Sequence, residues 1–361
     1  MNRLGVFIIA VFLLIPSGVS AEWLMFGNDA GHNFVADITE RTIQKRTPVT
    51  SWDRGSSSEE IFSWGTSIGN FTPNIGGDLY DRNVLHLVYV TAEEEGDWLR
   101  GYLEIRDGGN PGNLMWQRDL GNIRNQNNQS LQDDFEGYQA AFGTPAIADF
   151  NNNGLMDIAV ATPEGIVHFF EPEIEYDSTN SNYDQSNNCD TWSYSTGFTM
   201  VRTNPTITNF ANDDEKDIVV SGIDIDNDEF GVIAIDGSTG NKLWSFERPG
   251  TEVSSPAVYE DGNSRKIFVS AYDTNNLEVY AIQGGSAVSG WTPKTIGSIV
   301  SPTNVNLHPI LPSISIGNVT DDVGNEILVP QPAAVNEGDS QLWLYKLDGG
   351  YAEDWGSSYQ L

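Results

Sequence analysis

One cysteine, Cys189, stands in the whole chain of 361 residues, so no intrachain disulfide framework is possible. The thiol is expected to take no part in a structural bridge. Basic residues are scarce as well: 18 Lys and Arg face 51 Asp and Glu, a formal charge of −33. A chain of that sign is repelled by nucleic acid and by an anionic membrane surface. It suits a salt-rich or calcium-bearing exterior, and a halophilic source would produce the same acidity. The four histidines, His32, His86, His168 and His308, are scattered without the short spacing of a metal site. No Gly-x-Ser-x-Gly elbow, Walker loop or dinucleotide fingerprint occurs, and carboxylates are too abundant to single out a general acid. No catalytic residue is assigned on these grounds.

Long apolar runs are missing beyond the amino terminus. There, basic Met1-Asn2-Arg3, the run Leu4 to Ile15 and the small residues Val19-Ser20-Ala21 read as a signal peptide over residues 1–21. The run falls short of the roughly 20 residues of a comfortable membrane span. An uncleaved anchor is the alternative. The mature chain is expected to be secreted or displayed at the cell surface, without a membrane span. Asn70, Asn128 and Asn318 open glycosylation sequons that matter only in a host that uses them.

What the sequence has in abundance is short β-rich runs between polar loops, with almost no helical periodicity. Thr144 to Phe170 reads as a three-strand meander. Its first loop, Asp149-Phe150-Asn151-Asn152-Asn153-Gly154-Leu155-Met156-Asp157, carries a side-chain oxygen at alternate positions and a glycine after the third. Ca²⁺ takes six to eight oxygens at about 2.3–2.6 Å, and such a loop can wrap it. Asp149, Asn151, Asn153 and Asp157 would give side-chain oxygens and Leu155 its carbonyl. An Asn/Asp/Gly-rich hairpin loop without metal is the plainer alternative. An EF-hand is disfavoured by the flanking strands and by Val160, which stands where the twelfth-position Glu belongs.

Residues Gly143 to Asp157 resemble the FG-GAP (VCBS-type) repeat, the blade unit of integrin-α-like β-propellers, whose D-x-[DN]-x-[DN]-G-x-x-D loop binds calcium. Two anchors recur at unit spacing. Prolines Pro73, Pro145, Pro205, Pro256 and Pro312 are expected to open the first strand of each unit, and Trp116, Trp192, Trp244, Trp291 and Trp355 to close the last. Trp52 resembles the close of a unit whose beginning is absent. The third unit adds Ala234-Ile235-Asp236-Gly237-Ser238-Thr239-Gly240-Asn241-Lys242-Leu243-Trp244, which resembles the tryptophan-docking repeat of quinoprotein-like (PQQ-like) propellers. Ala281 to Trp291 repeats the spacing, with Gln283 in place of the aspartate and Ala287 in place of the glycine. Trp23 to His32 looks like the lead-in of such secreted propellers.

The expected fold is therefore all-β: a propeller of four-stranded blades, about five of them, over residues 22–361. The units are approximately 62–121, 142–197, 201–250, 251–297 and 310–361. Trp355 leaves the last unit its own outer strand, so the strand at 47–53 has no blade to complete. An open arc or the front of a longer propeller is expected, with a closed five-blade ring as the alternative.

The other loops are weaker cation sites. The fifth unit offers Asn318, Thr320, Asp322 and Glu326. The third offers Asn209, Asp213 and Asp217 but has Ala211 and Asp214 at key positions. The fourth, Glu260 to Lys266, carries Arg265 and Lys266 and is expected to be metal-free; Asp78 and Asp81 of the first are off register. Loops on a rigid scaffold are where binding concentrates. The expectation is a calcium-stabilised adhesion or recognition module whose ligand is an extracellular protein or glycan, met by the segments Glu171 to Asp190 and Asn122 to Tyr138. The alternatives are a propeller enzyme, quinone-dependent or polysaccharide-active, and a cell-envelope assembly scaffold. A quinone enzyme is disfavoured by the lack of a vicinal cysteine pair and by the small blade count.

Overall fold

The computed structural model describes residues 60–61, 67–69, 71, 86–95, 98–107, 114–125, 143–153, 155–172, 175–177, 182–184, 190–210, 215–262, 264–273, 276–298, 311–318, 324–331, 341–350 and 359–360. Strands are the only regular structure among them. The signal segment, the Trp23 to His32 lead-in, the strand around Trp52, Pro73, Cys189 and Trp355 lie outside the described residues.

Five antiparallel meanders follow one another. Blade one comprises β1 (Glu60–Ile61), β2 (Ser67–Gly69), β3 (His86–Glu95), β4 (Trp98–Arg106) and β5 (Leu114–Asn125), with β1 and β2 both paired to β3. Blade two runs β6 (Ala146–Ala148), β7 (Asp157–Ala161), β8 (Ile166–Phe170), then β11 (Asp190–Ser195). The separate hairpin β9 (Glu175–Asp177) and β10 (Asn182–Asp184) is inserted before β11. Blade three is β12 (Thr206–Thr208), β13 (Asp217–Asp224), β14 (Glu229–Asp236) and β15 (Lys242–Pro249). Blade four holds β16 (Glu252–Val253), β17 (Ala257–Asp261), β18 (Ser264–Tyr272), β19 (Asn276–Gln283), β20 (Ser286–Ala287) and β21 (Lys294–Ser298). Blade five is β22 (Ser315–Gly317), β23 (Glu326–Gln331), β24 (Gln341–Lys346) and β25 (Tyr359–Gln360).

The middle strands are apolar almost without a break because both of their faces are covered. In β13 only the last residue escapes burial, and β14 is buried except at its two ends. Alternate residues feed alternate cores. Val88, Val90, Leu103 and Ile105 meet Ile147, Ile158 and Phe170 between blades one and two. Ala159 and Val167 meet Ile218, Val220 and Ile235 between two and three. Val219 and Val232 meet Val258 and Ile267 between three and four. Phe268 and Val279 meet Ile316 and Val329 between four and five. Among the described residues none of these cores joins blade five to blade one. The other face of blade one buries a polar group instead: Glu104 is ligated by Arg106 Nε at 2.8 Å, Thr91 Oγ1 at 3.2 Å and Gln117 Nε2 at 3.3 Å.

The inner edges of blades two to four are stitched through the residue before each proline. That residue is pushed into extended backbone, and the proline leaves no N–H to satisfy where neighbouring strands crowd together. Asn204 Oδ1 accepts from Thr144 N at 2.7 Å, Ser255 Oγ accepts from Asn204 N at 2.9 Å, and Thr206 Oγ1 donates to Pro256 O at 2.7 Å. Ser67 Oγ donates to Pro145 O in the same manner. This corrects the reading of the first unit: its inner strand is Ser67–Gly69, upstream of Pro73, and Ser67 holds the place that Thr206 holds in blade three.

The outer edges are joined by tryptophans. Trp192 of blade two stacks on Phe169 at 5.1 Å and donates Nε1–H to Gly237 O of blade three at 3.0 Å. Its indole lies against Gly240, at φ 71°, where a Cβ would come within 2.7 Å of the ring. Trp244 lies against Gly285 and Trp291 against Gly349 of the next blade, again at positive φ. The tryptophan-docking role is thus present across three successive boundaries. One detail differs from the sequence reading, because the glycine in blade four is Gly285, in a shorter turn, and Ala287 has no part in it. Trp116 of blade one meets Phe170 edge-on at 5.6 Å.

Left-handed backbone alone costs a non-glycine residue about 1–2 kcal/mol, and overpacking adds about 1–3 kcal/mol. Gly290, at φ 84° with open space around it, carries only the first cost. In urea denaturation Gly240→Ala is therefore expected to lose about twice the stability that Gly290→Ala loses. Equal losses would show that Trp192 does not press on Gly240.

Candidate metal-binding loop

The loop of blade two leaves β6 at Ala148 and returns at Asp157, the first residue of β7. Asp157 is fully buried. Its Oδ2 accepts the Phe150 N–H at 3.0 Å, while its Oδ1 is buried without a hydrogen-bond partner. The remaining oxygens turn the chain in steps. Asp149 Oδ1 and Asn151 Oδ1 both accept from Asn153 N, at 2.9 and 3.1 Å, and Asn153 Oδ1 accepts from Leu155 N at 2.8 Å. Asn152 takes the left-handed conformation at φ 56°, which asparagine tolerates better than most residues. The loop is anchored by Phe150, which meets Phe169 edge-on at 5.2 Å and whose carbonyl accepts from Lys216 N of blade three at 2.9 Å.

The predicted ligand residues Asp149, Asn151, Asn153, Leu155 and Asp157 are thus gathered in one turn; Gly154 lies outside the described residues. A sixth residue, missed from sequence, joins them. Glu171, just past β8, accepts a hydrogen bond from Asn151 Nδ2 through its Oε1. Burial pushes the Asp157 carboxyl up to about 7; the Phe150 N–H opposes this, and the charges of Glu171 and Asp149 add to it. An acid so placed gains from a cation. Among the described residues no three His, Cys, Asp or Glu side chains converge as a preassembled metal centre, so the oxygens here are a mixture of carboxylate and amide.

The first residue of the second strand plays the same part elsewhere. Asp217 Oδ2 accepts from Phe210 N at 2.6 Å in blade three. Asn209 lies beside it on the same loop, whereas Asp213 is outside the described residues. In blade five Glu326 is buried and Asn318 exposed, with Thr320 and Asp322 outside the described residues. Blade four has no loop here, only a tight turn from Asp261 to Ser264, with Arg265 paired to Glu260 at 3.2 Å. In blade one the position belongs to His86, whose Nδ1 accepts from Phe71 N at 3.1 Å. The signal was available: Ser67-Ile68-Gly69-Asn70-Phe71-Thr72 parallels Ser315-Ile316-Gly317-Asn318-Val319-Thr320.

No protein-family model matches the chain, and no curated protein matches it by sequence. Solved structures do. The quinohemoprotein alcohol dehydrogenase of Comamonas testosteroni superposes with a TM-score of 0.51 at 11% identity, covering 97% of this chain and 51% of that one. The chain thus spans about half the length of that structure. The Dos1 propeller (TM-score 0.39, 10% identity, 80% and 72% covered) and BamB of Moraxella catarrhalis (0.32, 13%, 76% and 73%) are more distant. Successive antiparallel sheets of four to six strands packed face to face, with short inner strands side by side, define a β-propeller. The likeness to the dehydrogenase shows that same fold.

Burial lowers the His86 pKa below its ordinary 6.5, against a partial upward pull from Asp107. The folded chain refuses a proton that the unfolded chain accepts, so stability is full above pH 6.5 and declines as pH falls below it. A glutamine amide oxygen can accept the Phe71 N–H without titrating. His86→Gln is expected to flatten the fall in melting temperature between about pH 7.5 and 5.5; an unchanged slope would remove His86 from the acid response.

Proposed function

We propose that this chain is a calcium-stabilised recognition propeller, secreted or held at the cell surface, with an extracellular protein or glycan as ligand. The observation that carries the reading is the buried, unpartnered Oδ1 of Asp157 at the closed end of an oxygen-lined loop. Burying a carboxylate oxygen without a partner is costly, and a bound cation is the group that would satisfy it. Asp149, Asn151, Asn153 and Asp157 would hold Ca²⁺ by side-chain oxygens and Leu155 by its carbonyl. The FG-GAP part of the resemblance rests on this loop, and the quinoprotein-like part on the docked tryptophans.

Recognition is assigned to the loops. The β9–β10 hairpin stands outside the blade order, in the segment Glu171 to Asp190 that the sequence marks as long and polar. The surface opposite in sign to this chain is basic, so cationic proteins associate fastest and acidic glycans slowest. A quinone-dependent or polysaccharide-active enzyme and a cell-envelope scaffold are the competing readings within this fold. Turnover with added quinone and calcium would establish the first, and co-purification with envelope components the second.

A ligand bound only by the folded state stabilises it by about 2.7 kcal/mol at a hundredfold excess over Kd. Calcium is expected to raise the melting temperature of the wild-type chain. Asp149→Ala should lose most of that rise, and an unchanged calcium response in this variant removes the site from the loop.

A further inference from the structure

We infer that Phe150 couples the blade-two loop to the joint between blades two and three, so that a cation held in the loop tightens the docking of Trp192 on the next blade. The inference rests on the calcium reading above and extends it from one loop to the seating of one blade on another.

Phe150 stands in sequence between Asp149 and Asn151 and is fully buried. Each of its groups is tied to something different. Its N–H is held by Asp157 Oδ2 at 3.0 Å, and its carbonyl accepts from Lys216 N of blade three at 2.9 Å. Its ring meets Phe169 edge-on at 5.2 Å, and Phe169 lies flat against Trp192, 5.1 Å away with the ring planes 1° apart. The ring also touches the turn on which that tryptophan docks. A Cβ at Gly237 would come within 2.7 Å of Phe150 Cδ1, and Gly237 O is the acceptor of the Trp192 indole N–H. Loop, indole and facing turn therefore close a circuit through one side chain.

Asp157 is the point at which an ion would enter this circuit. One of its oxygens binds the Phe150 N–H, and the other is buried without a hydrogen-bond partner. A cation on Oδ1 would satisfy that oxygen and fix in place the carboxylate on which Phe150 hangs. Blade three repeats the linkage without the ligand set. There Asp217 Oδ2 accepts from Phe210 N at 2.6 Å and Phe210 meets Trp244 edge-on at 5.3 Å, while Ala211 and Asp214 interrupt the run of oxygens. The connection from loop to tryptophan thus belongs to the fold, and the ion is what blade two adds. Such coupling is reciprocal: what the ion does for the docking of Trp192, docked Trp192 does for the ion.

The test uses the full chain with calcium chloride or chelator. Trp192→Phe removes the indole N–H from a residue that meets Phe169, Gly237 and Gly240, none of them a predicted ligand. Calorimetry should show its calcium affinity reduced about 5-fold or more. Trp291→Phe, the same change at the joint of blades four and five, should bind calcium as the wild type does. A purely structural role would lower the melting temperature of Trp192→Phe equally in calcium and in chelator; the coupling makes the loss larger in calcium. In the wild type, calcium should slow hydrogen exchange at the Lys216 amide, which bridges the two blades, more than at the Ser254 amide, whose bond to Ser270 O lies within blade four. That measurement needs no variant and decides the matter if Trp192→Phe fails to fold. Wild-type affinity in Trp192→Phe, an equal loss in Trp291→Phe, or Lys216 exchange indifferent to calcium would each overturn the coupling and leave the loop site standing. A wild-type chain that binds no calcium would overturn both.

Discussion

A sheet of a few short strands that is apolar on both faces has no stable existence in water by itself, and the middle blades of this chain are such sheets. Each is completed only by its neighbours. Ile218 and Val220 of β13 look toward blade two while Val219 looks toward blade four, so one strand serves two cores. A fully buried large apolar side chain contributes about 1.5–3 kcal/mol, and among the described residues nearly all such side chains lie between blades. The inner ladder through Thr144, Asn204 and Ser255 and the outer docking of Trp192, Trp244 and Trp291 then fix how far one blade is rotated on the next.

The same constraint governs what could be read in advance. Prolines and tryptophans marked blades two to four well because each has a physical task at a blade boundary: removing an N–H on the crowded inner edge, and filling the outer one. Pro73 does not mark the inner strand, which is Ser67–Gly69 upstream of it; the serine at Ser67, bonded to Pro145 O, is the informative residue. Gly285 is hidden from a count starting at Ala281 because the turn that carries it is shorter than the one after Ala234. The loop ligands were legible since they are local in sequence. Glu171 was not, because only the pairing of β7 with β8 brings it beside Asn151.

Asp157, Asp217 and His86 show that the metal-type loop grows from an element of folding. Each closes its loop by accepting one backbone N–H from the residue two past the inner strand. A neutral imidazole does this as well as a carboxylate. The second oxygen of an aspartate is then surplus to the fold, and in blade two it is left buried beside two further acids. A ligand requirement and a folding requirement can therefore be met by one residue without conflict, and lost separately.

The pairing of Phe170 with Asp190 places the two ends of residues 171–189 side by side in adjacent strands. Blade two is thus a socket: an insert whose termini lie a strand spacing apart can leave and rejoin the sheet there, provided it replaces the contact that β10 makes with β5 of blade one. A protein engineer can graft a foreign recognition hairpin between the same two residues.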